Sequence, residues 1–334
     1  MKVVRNQWSV VSKGLFYSAV CALFFALCSV LEAQQPKIHR VGVILPGGAW
    51  HDIIGGLRDG LKQLGLHDKQ FSLTIRETKG DTNATEEAAK NFEREKVSLL
   101  YTAASSVTLA ARRATKDIPI VFCAGADPVV LGLVESFAKP GGRLTGVFYR
   151  DSDLIGKRLE ILKEIVPKLR RVATFYNPRS PVSVESAKLV REEITRVQGT
   201  EFTERHVASV EELQSVLRTL RTGEVDAVFE VTDAMVQTQD KLVIDAATAK
   251  RLPTMFVNHS SVLKGGLAAY SVSRHEIGRL SAGYVQRIFA GVSPGNLPIQ
   301  GVDKIELIIN LKTAKQIGLV VPPNVLARAD KVIR

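Results

Sequence analysis

The chain has 334 residues, 45 Lys and Arg against 34 Asp and Glu, 45% apolar and 24% charged residues, and three cysteines. That length exceeds what one hydrophobic core usually fills and predicts two domains, while the apolar and charged fractions exclude a disordered or fibrous chain. So few cysteines exclude a disulfide-built scaffold, and the net charge of +11 raises the question of nucleic acid.

Residues 1–33 read as a segment apart from the fold. Lys2, Arg5 and Lys13 give a basic start, residues 14–31 carry no charge, and Leu31-Glu32-Ala33 offers a small residue before polar Gln34-Gln35-Pro36. This is the order of a secretory signal peptide, and it predicts a periplasmic protein. An uncleaved membrane anchor is the alternative, because the uncharged run approaches the length of a membrane span. Neither Cys21 nor Cys28 follows a small residue, which speaks against lipid attachment. Cleavage after Ala33 removes three basic residues and Glu32, leaving a net charge of +9 and Cys123 as the one cysteine.

From residue 37 onward, β-branched runs alternate with amphipathic stretches. The predicted strands are 40–45, 71–77, 97–101, 118–123 and 144–148, then 171–176, 203–207, 225–231, 254–257, 267–271 and 305–310. Helical spacing falls between them at 55–64, 86–95, 154–166, 184–197 and 210–220. Continuous apolar strands with helices between them specify parallel sheets covered on both faces, an α/β fold. The two halves also read alike. Arg40-Val41-Gly42-Val43 opens one and Arg171-Val172-Ala173-Thr174 the other. The run from Val97 to Ile118-Pro119-Ile120-Val121-Phe122 is echoed from Val225 to Leu252-Pro253-Thr254-Met255-Phe256. Two similar α/β lobes place a cleft between the carboxyl ends of their strands.

No catalytic or cofactor motif accompanies these elements. Pro46-Gly47-Gly48 lacks the third glycine of a dinucleotide loop, Gly55 to Gly60 is not followed by Lys-Ser/Thr, and GxSxG and HExxH are absent. No cofactor and no metal site is expected. Polar residues do gather where strands give way to helices: Gly47, Gly48 and Trp50 after the first strand, Ser105 and Ser106 after the third, and Asp127 after the fourth. In the second half Asn177, Thr232, Asp233 and Asn258 take the corresponding places, with Tyr270 on the strand that follows. Each also reads as an ordinary cap, turn or packing residue, but their shared edge is where open α/β sheets bind ligands. Ser105 and Ser106 suit a carboxylate at a helix N-terminus. Asp127 and Asp233 suit an ammonium group, Asn177 and Asn258 supply neutral hydrogen bonds, and Trp50 or Tyr270 could cover an apolar or aromatic side chain. Lys and Arg are scattered rather than gathered into one arm, so no nucleic-acid partner is expected.

Several segments carry a family likeness. Asp127-Pro128-Val129, Pro140-Gly141-Gly142-Arg143-Leu144-Thr145-Gly146-Val147, the run from Lys157-Arg158-Leu159-Glu160 to Pro167, and Tyr176-Asn177-Pro178 resemble the tryptophan/tyrosine-type substrate-binding proteins of ABC transporters. So does the tail, Asn310-Leu311-Lys312-Thr313-Ala314 through Pro322-Pro323 to Ala327-Arg328-Ala329-Asp330. The resemblance implies a type I periplasmic-binding fold of two Rossmann-like lobes with three crossings. On that basis the first lobe spans 37–146 with 272–296, and the second 147–271 with 297–334. It further implies that the protein captures a small ligand, an amino acid (aromatic ones included) or a related small carboxylate, by hinge closure. The partners would be permease and ATPase subunits of an importer, with membrane contact only through them or an uncleaved N-terminus, and the protein would be a monomer and not an enzyme. A ligand sensor for a membrane receptor and a periplasmic enzyme using Asp127 or Asp233 as base are the alternatives. Ala269-Tyr270-Ser271 stands where such proteins often read Ser-Tyr-Gly.

Overall fold

The apolar runs of the sequence become the middle strands of two sheets, each with its own buried core. A computed structural model describes residues 38–334 except 68, 197, 198, 222 and 303, so the export segment read at 1–33 lies outside the described residues. Among the described residues, no helix is long and apolar enough to cross a membrane.

The first lobe runs through β1 (His39–Leu45), a 3-10 turn (Gly48–Trp50), α1 (His51–Gln63), β2 (Phe71–Glu77), α2 (Thr82–Arg94), β3 (Leu99–Ala103), α3 (Ser105–Ala114), β4 (Ile120–Ala124) and β5 (Leu144–Phe148). The second follows with α4 (Ile155–Ile165), β6 (Arg171–Tyr176), α5 (Pro181–Arg196), β7 (Glu201–His206), α6 (Val210–Thr219), β8 (Ala227–Phe229), α7 (Ala234–Thr238), α8 (Asp240–Ala249), β9 (Thr254–Phe256), α9 (His259–Leu263) and β10 (Ala268–Val272). Then α10 (Arg274–Phe289) and β11 (Gln300–Gly301) return to the first lobe. The chain ends in the second with β12 (Ile305–Asn310), α11 (Leu311–Ile317), α12 (Pro323–Ala327) and β13 (Lys331–Ile333).

The sheet orders are β11-β5-β4-β3-β1-β2 and β13-β12-β10-β9-β8-β6-β7. The strands matched by sequence, β1 with β6, β3 with β8 and β4 with β9, therefore hold equivalent positions in the two sheets. Every pairing is parallel except that of β10 with β12, because β12 enters its sheet directly from a crossing instead of after a covering helix. Two passages fall later than the sequence placed them. Val147 and Phe148 pair with Cys123 and Ala124 and so still belong to the first sheet. Gln300 and Gly301 pair with Val147 and Phe148, which moves the third passage from 296 to beyond Gly301. A two-residue strand carries no periodicity that sequence reading could detect.

Charge sets the floor of the cleft. Arg158 is 1% exposed; its Nε donates to the Tyr270 carbonyl at 2.8 Å and its Nη2 to an Asp151 carboxylate oxygen. The other carboxylate oxygen accepts the Thr232 hydroxyl. A buried guanidinium is tolerable only when so paired, and this pairing ties the first passage to the loop after β8 and to the middle of β10.

The returning helix α10 lies against α1 at backbone distance. A Cβ on Gly278 would stand 1.9 Å from the Ile53 carbonyl oxygen, and one on Gly56 1.8 Å from that of His275. Gly278→Ala should therefore destabilise the protein by about 1–3 kcal/mol. Gly283→Ala, on the same helix with nothing within 4 Å of the added carbon, should stabilise it by up to about 1 kcal/mol. Urea unfolding of both variants checks the pair, and equal midpoints would contradict the packing argument.

Candidate functional site

The carboxyl ends of strands from both lobes face one another across a cavity of about 670 Å3. Lys79, Asp81 and Ser106 line it from the first lobe, and Asn177, Arg179 and Asp233 from the second. Several helices start at its edge. Asp81 caps α2 by accepting the Ala84 N–H at 2.7 Å, Ser209 caps α6 through the Glu212 N–H, and Asp233 caps α7 through the Val236 N–H. At these three starts the chain's own side chains, two of them carboxylates, already take a free donor and answer the partial positive charge. The start of α3 differs: Ala104 precedes it with a positive φ of 94° and no side-chain cap. A non-glycine residue held there stores strain of order 1–3 kcal/mol, a condition often found where a chain is shaped around a ligand.

The residues singled out in the sequence divide into four groups. Ser106, Asn177 and Asp233 line the large cavity. Thr232 borders a second, smaller void with Gly125 and Ala126 of the first lobe, while its hydroxyl is spent on Asp151. Gly48 faces Thr238 of α7 across the lobes, Gly47 sits against the Glu77 carboxylate at φ 108°, and Trp50 is buried beneath Arg274. The remaining side chains serve the chain itself. The Ser105 hydroxyl accepts the N–H groups of Gly125 and Ala126, and Asp127 accepts those of Val129 and Val130 within its own turn. Asn258 caps α9 by accepting from Ser261, and Tyr270 packs against the second lobe's core with its carbonyl held by Arg158. Asp233 also accepts the Asn177 N–H at 2.8 Å and the Ser183 hydroxyl at 2.7 Å, so this buried carboxylate joins β6, α5 and α7.

Sequence reading missed Asp151, Gln237 and Arg274, which with Tyr149 and Val257 enclose a small void deeper in the cleft. It also missed Glu230, which is buried at the end of β8 and accepts the Val257 N–H at 2.9 Å. Burial first, and then the nearby Asp240, hold the Glu230 carboxyl well above the ordinary carboxylate range. No motif marks these residues, because each gains its meaning from a neighbour distant in the chain.

Two measurements follow from these contacts. Asp233→Ala should cost at least about 2 kcal/mol, from the lost cap and the unmet Ser183 and Asn177 donors, while Ser106→Ala should stay within about 0.5 kcal/mol of wild type. Thermal unfolding compares them. Folded Glu230 keeps its proton to higher pH than the unfolded chain does, so its burial costs stability as pH rises above the ordinary carboxylate range. Glu230→Gln should therefore melt higher than wild type at pH 7, with the gap closing toward pH 4. A gap independent of pH would contradict the assignment.

Residues 39–333 match the ABC transporter substrate binding protein family. A tyrosine-binding protein of Clostridioides difficile (strain R20291) is 28% identical over 268 residues, 79% of this chain and 76% of its own length. A Streptococcus pneumoniae protein solved in complex with L-Trp superposes with a TM-score of 0.81 at 23% identity, over 89% of this chain and 100% of its own. A ligand-free, open substrate-binding protein from Clostridium difficile gives a TM-score of 0.60 at 25% identity, over 89% of this chain and 99% of its own. With the match running from β1 to β13 across both walls of the cleft, the chain belongs to the substrate-binding proteins of ABC transporters.

Proposed function

We propose that the protein is a periplasmic monomer that captures an amino acid, aromatic ones included, or a related small carboxylate, and hands it unchanged to the permease and ATPase of an importer. The observation that carries this reading is the cavity of about 670 Å3 walled by both lobes, within the roughly 300–1,000 Å3 usual for small-molecule sites. The relative named for tyrosine and the fold neighbour solved with L-Trp support the amino-acid class.

The lobes are joined by three passages, and their facing edges touch. A Cβ on Gly80 of the first lobe would stand 2.6 Å from the Met235 nitrogen of the second. The chain also superposes better on the L-Trp complex than on the open, ligand-free relative. Both observations support a hinged molecule in its closed form. A ligand touching both walls favours that form by the difference in its contacts between the two states.

Native mass spectrometry of protein purified without refolding should show a small molecule bound. Calorimetry with L-tryptophan and L-tyrosine should then show single-site binding, with the added compound recovered chemically unchanged. Small-angle scattering should give a smaller radius of gyration once ligand is present. Identical scattering profiles with and without a tightly bound ligand would overturn the closure reading, and turnover of the ligand would overturn the transport reading.

A further inference from the structure

We propose that Arg274 is the carboxylate anchor of the cleft, so that the ligand class is defined by a free carboxylate reaching the Arg274 guanidinium. The proposal rests on the small-molecule capture set out above and adds the chemical group that is recognised.

Arg274 opens α10, immediately after the second passage between lobes. Its guanidinium lies 4.0 Å from the centre of the Trp50 ring of the first lobe, and its Nη2 donates at 2.9 Å to the Gln237 side-chain oxygen of the second. The side chain therefore spans the two walls. Its Nη1 is shut off from solvent and has no hydrogen-bond partner. The nearby carboxylates make their hydrogen bonds elsewhere, Asp151 with Arg158, Asp240 through one oxygen with Ser261, and Glu230 with the Val257 N–H, and Glu230 and Asp240 act on Arg274 only through space.

A cation withdrawn from water without a counter-ion is costly. Arg158 in the same cleft floor has a carboxylate in direct contact, whereas the half-buried Arg274 touches an aromatic face and a neutral amide. Trp50, 1% exposed, likewise has an indole N–H without a partner, so both members of the stacked pair keep a donor in reserve. The small void that Arg274 borders is about 10 Å3, room for one water. Its walls come from both lobes, Tyr149 and Ile277 from the first and Gln237 and Val257 from the second, so it widens as the hinge opens. Arg274 does not line the cavity of about 670 Å3 but borders a separate one of about 450 Å3, between His51 and Asp52 of the first lobe and His259 and Ser260 of the second, which gives the rest of a ligand space at this end of the cleft. A planar fork of donors suits a carboxylate better than any other small anionic group of an amino acid.

The test compares acids with their amides. L-tryptophan, L-tyrosine, 4-hydroxyphenylacetate and succinate, with tryptophanamide and tyrosinamide, are offered to wild type, Arg274→Gln and Arg274→Lys by thermal shift and calorimetry. Wild type should be stabilised by acids and not by amides. Arg274→Gln should bind the same acids about ten- to a hundredfold more weakly and lose its preference for acid over amide. Arg274→Lys should fall between, keeping charge without the fork. If Arg274→Gln fails to fold, the acid-to-amide preference of wild type and the Arg274→Lys affinity decide the matter. Equal binding by Arg274→Gln, or a wild type indifferent to amidation, overturns the proposal. So does a panel in which no acid binds; a co-purified molecule lacking a carboxylate would then leave small-molecule capture standing without this anchor.

Discussion

The pairing of Arg158 with Asp151 is the constraint on which the floor of the cleft is assembled. A guanidinium that is 1% exposed must have its carboxylate within reach. The chain leaving β5 is therefore obliged to bring Asp151 under the second lobe before α4 begins. The same carboxylate then takes the Thr232 hydroxyl, and the same guanidinium takes the Tyr270 carbonyl. Three segments that have no local reason to meet are held together by one pair of opposite charges.

Two arginines at one junction, Arg158 buried and Arg274 half-buried, thus do different work. Arg158 is fully supplied by its own chain and fixes the second lobe's edge. Arg274 is stacked and half-supplied, from a helix that packs through Gly278 onto the first lobe. A receptor that closes around its ligand needs both kinds of group: one that holds the wall still, and one whose satisfaction depends on what enters.

The sequence made the strands legible where mostly apolar residues ran continuously, as at 144–148, or apolar ones alternated with polar ones, as at 71–77. The runs 71–77, 144–148, 171–176 and 305–310 are strands at those bounds. It failed at the two shortest edge strands. Lys331–Ile333 is partly exposed and three residues long, and Gln300–Gly301 is shorter still, so neither leaves an apolar signature. The site was legible in place more than in chemistry. Asp233, Asn258 and Ser105 do stand at strand ends, yet their oxygens accept the protein's own N–H and O–H groups. Short polar side chains at a strand-to-helix junction meet free backbone donors there whether or not a ligand exists. Arg274 was illegible because Ser273-Arg274 reads only as a helix start, and its unmet Nη1 depends on Trp50 and Gln237, both far away in the chain.

Cys123, in β4 beneath the cleft, is the single cysteine among the described residues. Burial pushes its thiol up to about 11 and leaves the side chain with no access to solvent. A reagent that alkylates thiolates can reach it only when the first sheet comes apart, since β3 and β5 flank it on either side. The second lobe contributes no such group among the described residues. The molecule thus carries a natural clock on one half: the rate of thiol labelling times the unfolding of the first lobe, and its divergence from the loss of helical signal measures how far the two halves come apart separately.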